Sequence, residues 1–216
     1  APVTSVDFSS VDTSHLAVSY GKNQSTVKVW DVVDKTEQFT IETKQTEVIE
    51  FFNACPTLAV GTAGGVELWD TGSDTTIKTL DHTSSAEAEV MSYFGECDET
   101  GDMMAGFSDG VKTTYDLSGS TEPFRLEVNS ESERPGFYDL ESDPKKELYS
   151  ATTKDHKLMV WNFNGKLVRY LGSSGFAIRA LDFFPDQSAM GKTANQKYIQ
   201  IYSTGSWRVR KQFKAH

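Results

Sequence analysis

Four acidic residues stand at matching places in the chain, each flanked by an apolar residue in a short strand-like motif. They are Asp7, Glu50, Asp139 and Asp182. Carboxylates gathered at one place would raise each other's pKa unless a cation, a basic peptide or water separated them. Such a group could bind a cationic ligand, and two carboxylates about 5–9 Å apart across a cleft could hydrolyse glycosides. The alternative is that each carboxylate is hydrogen-bonded locally.

The remaining chemical motifs point away from catalysis. Gly191-Lys192-Thr193 resembles the end of a phosphate-binding loop, but Asp186 occupies the position of its first glycine and no helix pattern follows. The four histidines stand singly, without the spacing of metal ligands, and no GxSxG motif occurs. We therefore predict no catalytic residue, no metal site and no cofactor, so that the protein is not an enzyme.

The elements that would position these residues form a repeat. An aromatic residue followed by a polar one closes a β-rich segment five times, at Trp30-Asp31, Trp69-Asp70, Tyr115-Asp116, Trp161-Asn162 and Tyr202-Ser203. The spacings of 39, 46, 46 and 41 residues are close to the ~40–45-residue period of a four-stranded unit. The sequence therefore predicts an all-β chain of five four-stranded antiparallel units, at residues 1–46, 47–82, 83–130, 131–173 and 174–216.

This repeat resembles the WD40 family of β-propellers, and the resemblance covers essentially the whole chain. It implies that each unit is a propeller blade whose first strand lines an axial channel, where the four carboxylates would form an acidic ring. Family members often brace a blade with a hydrogen-bonded His, Asp and Trp. Only His82, Asp109 and Tyr115 resemble part of that set, so the chain is a divergent member.

The family resemblance implies a non-catalytic scaffold that binds other proteins within an intracellular assembly. Partners of such propellers usually bind the turns at one end of the blades, where aromatic residues and arginine supply most interface energy. The residues that the repeat places at that end are Lys22, Phe107, Arg134, Lys154, His156, Phe176 and Lys192.

The charge distribution favours a second hypothesis. The net charge is −10, yet residues 144–216 carry 13 Lys or Arg against 4 Asp or Glu. Arg208, Arg210 and Lys211 fall in the predicted outer strand of the last unit. This unit also resembles a late blade in the propellers of spliceosome-associated pre-mRNA-processing ubiquitin ligases. The chain could thus belong to an RNA-processing complex, spliceosomal or ribosome-building, and contact RNA through its basic C-terminal blades. A five-bladed carbohydrate-binding or glycoside-hydrolysing propeller is the third hypothesis.

Two further expectations concern the surroundings of the chain. Every unit contains its own four strands, so no strand is left to join the two ends. We expect the five units to be part of a larger propeller of about seven blades, completed by the rest of the native chain or by a partner. A five-bladed ring is the alternative.

The sequence shows neither a signal peptide nor a membrane-spanning segment, and Cys55 and Cys97 lack a pairing motif. These features predict an intracellular protein, nuclear or cytoplasmic, with reduced cysteines.

Overall fold

A computed structural model describes most of the chain. The described residues are 2–21, 25–43, 45–46, 48–53, 55–94, 101–127, 136–173, 177–184, 186, 188–194 and 197–214. They form twenty β-strands in five four-stranded antiparallel sheets, and the one helical element among them is a 3-10 turn at Pro144–Lys146. The predicted all-β class and the five four-stranded antiparallel units are confirmed.

The strands of each sheet follow one another along the chain and pair with their sequence neighbours. Sheet I contains β1 (Val3–Phe8), β2 (His15–Tyr20), β3 (Thr26–Asp31) and β4 (Thr36–Glu42). Sheet II contains β5 (Ile49–Phe51), β6 (Thr57–Thr62), β7 (Gly65–Asp70) and β8 (Thr75–Asp81). Sheet III contains β9 (Ala88–Phe94), β10 (Asp102–Phe107), β11 (Val111–Asp116) and β12 (Phe124–Glu127).

The last two sheets repeat this arrangement. Sheet IV contains β13 (Phe137–Asp143), β14 (Leu148–Thr153), β15 (Lys157–Asn162) and β16 (Leu167–Ser173). Sheet V contains β17 (Leu181–Phe183), β18 (Ala189–Ala194), β19 (Tyr198–Ser203) and β20 (Val209–Lys214). The chain divides into two compact units, residues 1–125 and residues 126–216, with the boundary inside β12.

In the first unit, consecutive sheets bury apolar side chains between them. The cluster between sheets I and II takes Ala17, Val27, Val29 and Ile41 from sheet I and Ile49, Phe51, Leu58 and Val60 from sheet II. The next cluster includes Ala59 and Leu68 of sheet II and Met103, Phe107 and Tyr115 of sheet III. Alternate residues of β3 and β7 enter these clusters because successive side chains of a strand point to opposite faces.

At the interface between sheets II and III, neighbouring atoms approach the backbone of Gly61 closely. A Cβ atom added there would lie 2.7 Å from Val48 Cγ1 and 2.9 Å from the Cβ of Ala88. These separations are too short for any side chain, so only glycine fits between the strands.

In the second unit, one cluster joins sheets IV and V. Leu158 of sheet IV packs with Ile178, Leu181 and Met190, and partly buried side chains at Leu171, Phe183 and Trp207 surround them. Among the described clusters, sheet II uses one face for sheet I and the opposite face for sheet III.

The expectation of reduced cysteines is wrong for Cys55. This buried residue, beside the start of β6, is disulfide-bonded. The other cysteine of the chain, Cys97, lies outside the described residues. Proximity in space decides disulfide pairing, which a sequence without a spacing motif does not reveal.

Candidate functional site

The carboxylate of Asp7 connects two sheets. Its Oδ2 accepts a hydrogen bond from the backbone N–H of Phe51 in β5 at 2.6 Å, and its Oδ1 accepts one from the N–H of Phe8 at 2.9 Å. Burial raises the pKa of Asp7 above its ordinary value, and the two N–H donors oppose this rise. Both oxygens are therefore occupied by backbone donors at the junction of sheets I and II.

Asp139 repeats this arrangement in the second unit. Its Oδ2 accepts from the backbone N–H of Leu181 in β17 at 2.7 Å, and its Oδ1 accepts from the N–H of Leu140 at 2.9 Å. Burial again raises the pKa of this carboxyl group, against the effect of the two donors. For Asp7 and Asp139 the geometry corresponds to the local structural role rather than to an open ligand site.

The other two acidic positions differ from these. Glu50 in β5 is half-buried, whereas Asp182 in β17 is exposed and makes no hydrogen bond to any residue that the structure describes. Among the four acidic residues, Asp182 is thus the one whose side chain is exposed and has no hydrogen-bond partner among the described residues.

Replacing Asp7 by alanine is expected to lower the free energy of unfolding by about 1–3 kcal/mol, because the partly buried N–H of Phe51 would lose its acceptor. Chemical denaturation of the purified chain measures this change. Asp182→Ala is the matched control, since the same side chain at the same strand position has no described partner, and it should change stability by less than about 0.5 kcal/mol. Equal effects of the two substitutions would contradict the bridging role of Asp7.

A polar network braces sheet III. His82 Nε2 lies 3.0 Å from Asp109 Oδ2, and the Ser84 hydroxyl donates to the same oxygen at 2.8 Å. Because an ionised carboxylate only accepts hydrogen bonds, Nε2 is the donor to Asp109, and Nδ1 lies within hydrogen-bond distance of the Thr113 hydroxyl, at 3.4 Å. Burial raises the pKa of Asp109, but the hydrogen bonds from His82, Ser84 and the Val111 N–H outweigh it, and the net shift is downward.

The sequence pointed to His82 and Asp109 but missed Thr113, which stands two residues before Tyr115 in β11. A hydroxyl residue at that position in a strand is ordinary, so only the contact with the His82 ring reveals its role. The ring of His82 also stacks on Phe107, with centroids 3.8 Å apart and planes 6° from parallel.

The polar residue after each strand-closing aromatic orders the following turn. Asp31 Oδ1 accepts from the N–H groups of Val33 and Asp34, at 2.8 and 2.9 Å. Asp70 accepts from the Gly72 N–H at 2.8 Å, and Asp116 accepts from those of Ser118 and Thr121, both at 2.9 Å. The repeated aromatic–polar pair therefore ends the third strand of a sheet and shapes the turn to its fourth strand.

The burial of two residues contradicts their predicted role in partner binding. Phe107 is 0 % exposed because its ring packs in the core of sheets II and III and stacks on His82. Lys192 is 5 % exposed, its ammonium nitrogen lies over the ring of Tyr202 at 5.2 Å from the ring centroid, and burial lowers the pKa of this amine. Neither side chain offers accessible surface to a partner.

Lys154 and His156 do reach the surface. Both lie in the turn between β14 and β15 and are partly exposed, and His156 adopts the left-handed backbone conformation with φ of 69°. The predicted residues Lys22, Arg134 and Phe176 lie outside the described residues.

The basic outer strand is accessible along its whole length. Every residue of β20 is exposed, including Arg210 and Lys211, and Arg208 just before it is exposed as well. Beside it lies a groove of about 310 Å³ lined by Phe184, Ser188, Ala189, Ile201, Arg210 and Lys211.

Within the described residues, no group of three or more His, Cys, Asp or Glu side chains could hold a metal ion. The same part of the chain has no helix with the length and apolar character that crossing a bilayer requires. Comparison of the sequence with the models of known protein families and with curated proteins finds no match.

Proposed function

We propose that the chain is part of a WD40-type β-propeller that acts as a non-catalytic scaffold and binds other proteins through its turns. The observation that carries this proposal is the fivefold repeat of one four-stranded sheet, in which an aromatic–polar pair closes the third strand. The polar residue of that pair orders the next turn at Asp31, Asp70 and Asp116. Rigid sheets that carry short ordered turns are a suitable support for partner binding.

The turn between β14 and β15 is the part of this surface with the strongest support. Thr153 and Lys157 both bond to Asp155, the latter through an ion pair at 2.7 Å, so the turn is held in one conformation. A preformed turn loses little conformational entropy when a partner binds. Lys154 and His156 flank Asp155 and present a basic and an aromatic side chain to that partner.

Affinity capture with the purified chain, followed by mass spectrometry, tests the proposal. A partner that binds this surface should be lost when Lys154→Glu and His156→Ala are combined. Lys166→Glu is the matched control, because Lys166 is an exposed lysine at the other end of the same sheet, in the turn between β15 and β16. If the two variants reduce the binding of every captured partner equally, or if neither reduces it, the assignment of this turn as the binding surface is wrong.

A specific observation favours a second candidate function, RNA contact through β20. The strand exposes Arg210, Lys211 and Lys214 together with Phe213, which combines phosphate-binding charges with an aromatic ring on which a base can stack. Under this proposal the scaffold belongs to a nuclear RNA-processing complex, such as one that contains a pre-mRNA-processing ubiquitin ligase.

Reversing the charges at Arg208, Arg210 and Lys211 is expected to weaken binding to single-stranded RNA at least tenfold and to flatten its salt dependence. Fluorescence anisotropy with a labelled oligonucleotide at several salt concentrations measures both quantities. Lys35→Glu, Arg125→Glu and Lys166→Glu combined control for net charge, since they reverse the same number of charges at exposed positions outside sheet V. Unchanged affinity of the triple variant would reduce β20 to a solvated edge strand.

We retain two further parts of the hypothesis as proposals. The five sheets belong to a larger propeller, and the protein lacks enzymatic activity. The rival interpretation as a glycoside hydrolase needs two open carboxylates across a cleft, whereas Asp7 and Asp139 each use both oxygens for backbone donors. Screening with oligosaccharides should therefore detect no hydrolysis.

A further inference from the structure

Two junctions between neighbouring sheets can be compared position by position, because the strand-closing aromatic marks the same place in each sheet. One junction joins sheets I and II in the first unit, and the other joins sheets IV and V in the second unit. In sheets II and V the second strand pairs with that aromatic through Leu58 and Met190, respectively. Two residues further along these strands lie Val60 and Lys192, which therefore occupy equivalent positions.

The second junction places a cation where the first has an apolar side chain. Val60 is fully buried and belongs to the apolar cluster between sheets I and II. Lys192, also buried, projects from the same face of its strand as Met190, which packs on Leu158 of sheet IV. Its ammonium nitrogen lies over the ring of Tyr202 and makes no hydrogen bond or ion pair with any residue that the structure describes.

The charge of Lys192 also lacks a nearby carboxylate. Burial is the sole cause that lowers the pKa of its amine, and no acidic group opposes this shift. The buried Lys112 of sheet III differs in this respect, because Asp102 favours its charged form. Burying an ammonium group without a counter-ion costs folding free energy, and an accompanying anion removes much of that cost.

Sheet IV directs a second polar group toward the same junction. Counted from the strand-closing aromatic, Thr152 of β14 is the counterpart of Ser19 in β2. Ser19 donates to the carbonyl oxygen of Ser5 at 3.2 Å, so its hydroxyl group is satisfied within sheet I. Thr152 is fully buried as well, yet its hydroxyl oxygen has no hydrogen-bond partner among the described residues.

The pairing of the strands places Thr152 and Lys192 at the same level of the junction. Thr152 pairs with Asp139 in β13, and the carboxylate of Asp139 accepts the N–H of Leu181 in β17. Leu181 in turn pairs with Lys192 in β18. Leu158, the neighbour of Thr152 in β15, packs on Leu181. A hydroxyl group from sheet IV and an ammonium group from sheet V therefore face the same apolar interior.

We propose that Lys192 and Thr152 bind a chloride ion between sheets IV and V. One ammonium group neutralises one negative charge, which favours a monovalent anion. The apolar side chains of Leu158, Leu181 and Met190 surround this place and donate no hydrogen bond, so the additional oxygens of a sulfate or phosphate would stay unsatisfied. The site lies wholly within the second compact unit and is separate from the partner binding proposed for the turns.

Urea denaturation at constant ionic strength tests the site, with chloride replacing gluconate, a much larger anion. An ion that binds only the folded chain stabilises it by mass action, so the folding equilibrium constant should rise roughly fivefold between zero and about 200 mM chloride. Lys192→Met removes the charge, keeps a side chain of similar length and should lose this rise. Lys166→Met is the matched control, because it removes an exposed lysine of sheet IV and should keep the rise.

Thr152→Val tests the second donor, since valine has the shape of threonine without the hydroxyl group. This variant should raise the dissociation constant for chloride roughly fivefold. Chlorine-35 NMR gives an independent measurement, because chloride that exchanges with a protein site has a broadened resonance. The original chain should broaden it, and Lys192→Met should not.

Two results would overturn the proposal. If chloride leaves the stability of the original chain unchanged, Lys192 is buried as a neutral amine. If chloride stabilises the original chain and Lys192→Met equally, the effect is a general response to salt. Should Lys192→Met fail to fold, the chlorine-35 line width decides: undiminished broadening in Thr152→Val would contradict the site.

Discussion

Replacing Phe107 by alanine is expected to lower the free energy of unfolding by about 3–5 kcal/mol, the usual cost of truncating a fully buried aromatic side chain. Phe107 closes the cluster between sheets II and III with no exposed surface, and its ring stacks on His82. The substitution removes apolar contacts and leaves the imidazole, which bonds to Asp109 and Thr113, without support on one side.

Urea denaturation followed by tryptophan fluorescence measures the change. Tyr170→Ala is the control, because it truncates an exposed aromatic ring and should cost less than about 1 kcal/mol. If Phe107→Ala instead left stability unchanged and abolished partner binding, the residue would be an interface anchor, and the packing between sheets II and III would have to be assigned differently.

Replacing Lys112 by methionine is expected to raise the free energy of unfolding at pH 7 by about 2–4 kcal/mol. Lys112 is buried in β11, and burial lowers the pKa of its amine to about 7, although the nearby Asp102 favours the charged form. An amine in the unfolded chain has a pKa near 10.4. Removing water from this cation therefore costs folding free energy, which a side chain of similar length without charge avoids.

The pH dependence gives this prediction a second measurement. Between about pH 7 and pH 10 the unfolded chain binds a proton at Lys112 that the folded chain does not, so the free energy of unfolding rises with pH in this range. In Lys112→Met this rise should be smaller, whereas Lys166→Met, at an exposed position, should keep it. Equal slopes from pH 7 to pH 9 in all three proteins would show that Lys112 is charged in the fold.

The strand pattern was predictable because burial and side-chain alternation act over a few residues. Val27 and Val29 alternate with polar residues in β3, and Trp30-Asp31 marks its end, so both the strand and its turn follow from local sequence. The pairing of Asp7 with Phe51 was not predictable in the same way, since it joins residues 44 apart and depends on how two sheets pack.

The errors in the predicted binding surface have one physical origin. The repeat predicts Phe107 and Lys192 at the turns of the partner-binding end of the blades. In the structure both belong to strands, β10 and β18, whose side chains point into packed interfaces. One residue along a strand reverses the direction of a side chain, so an error of a single position exchanges core for surface. Local sequence patterns do not locate the end of a strand to within one residue.

The nearest-neighbour connectivity of the strands has a consequence for how the chain folds. In every sheet, each strand pairs with the next one along the chain, as β3 with β4 across a short turn and β6 with β7 across two residues. Closing such short loops costs little chain entropy, and low separation between contacting residues is associated with fast folding. Within each compact unit, sheets that pack on their neighbours along the chain can assemble one upon another from any nucleus. We therefore expect unfolding intermediates in which whole sheets, rather than single strands, have detached.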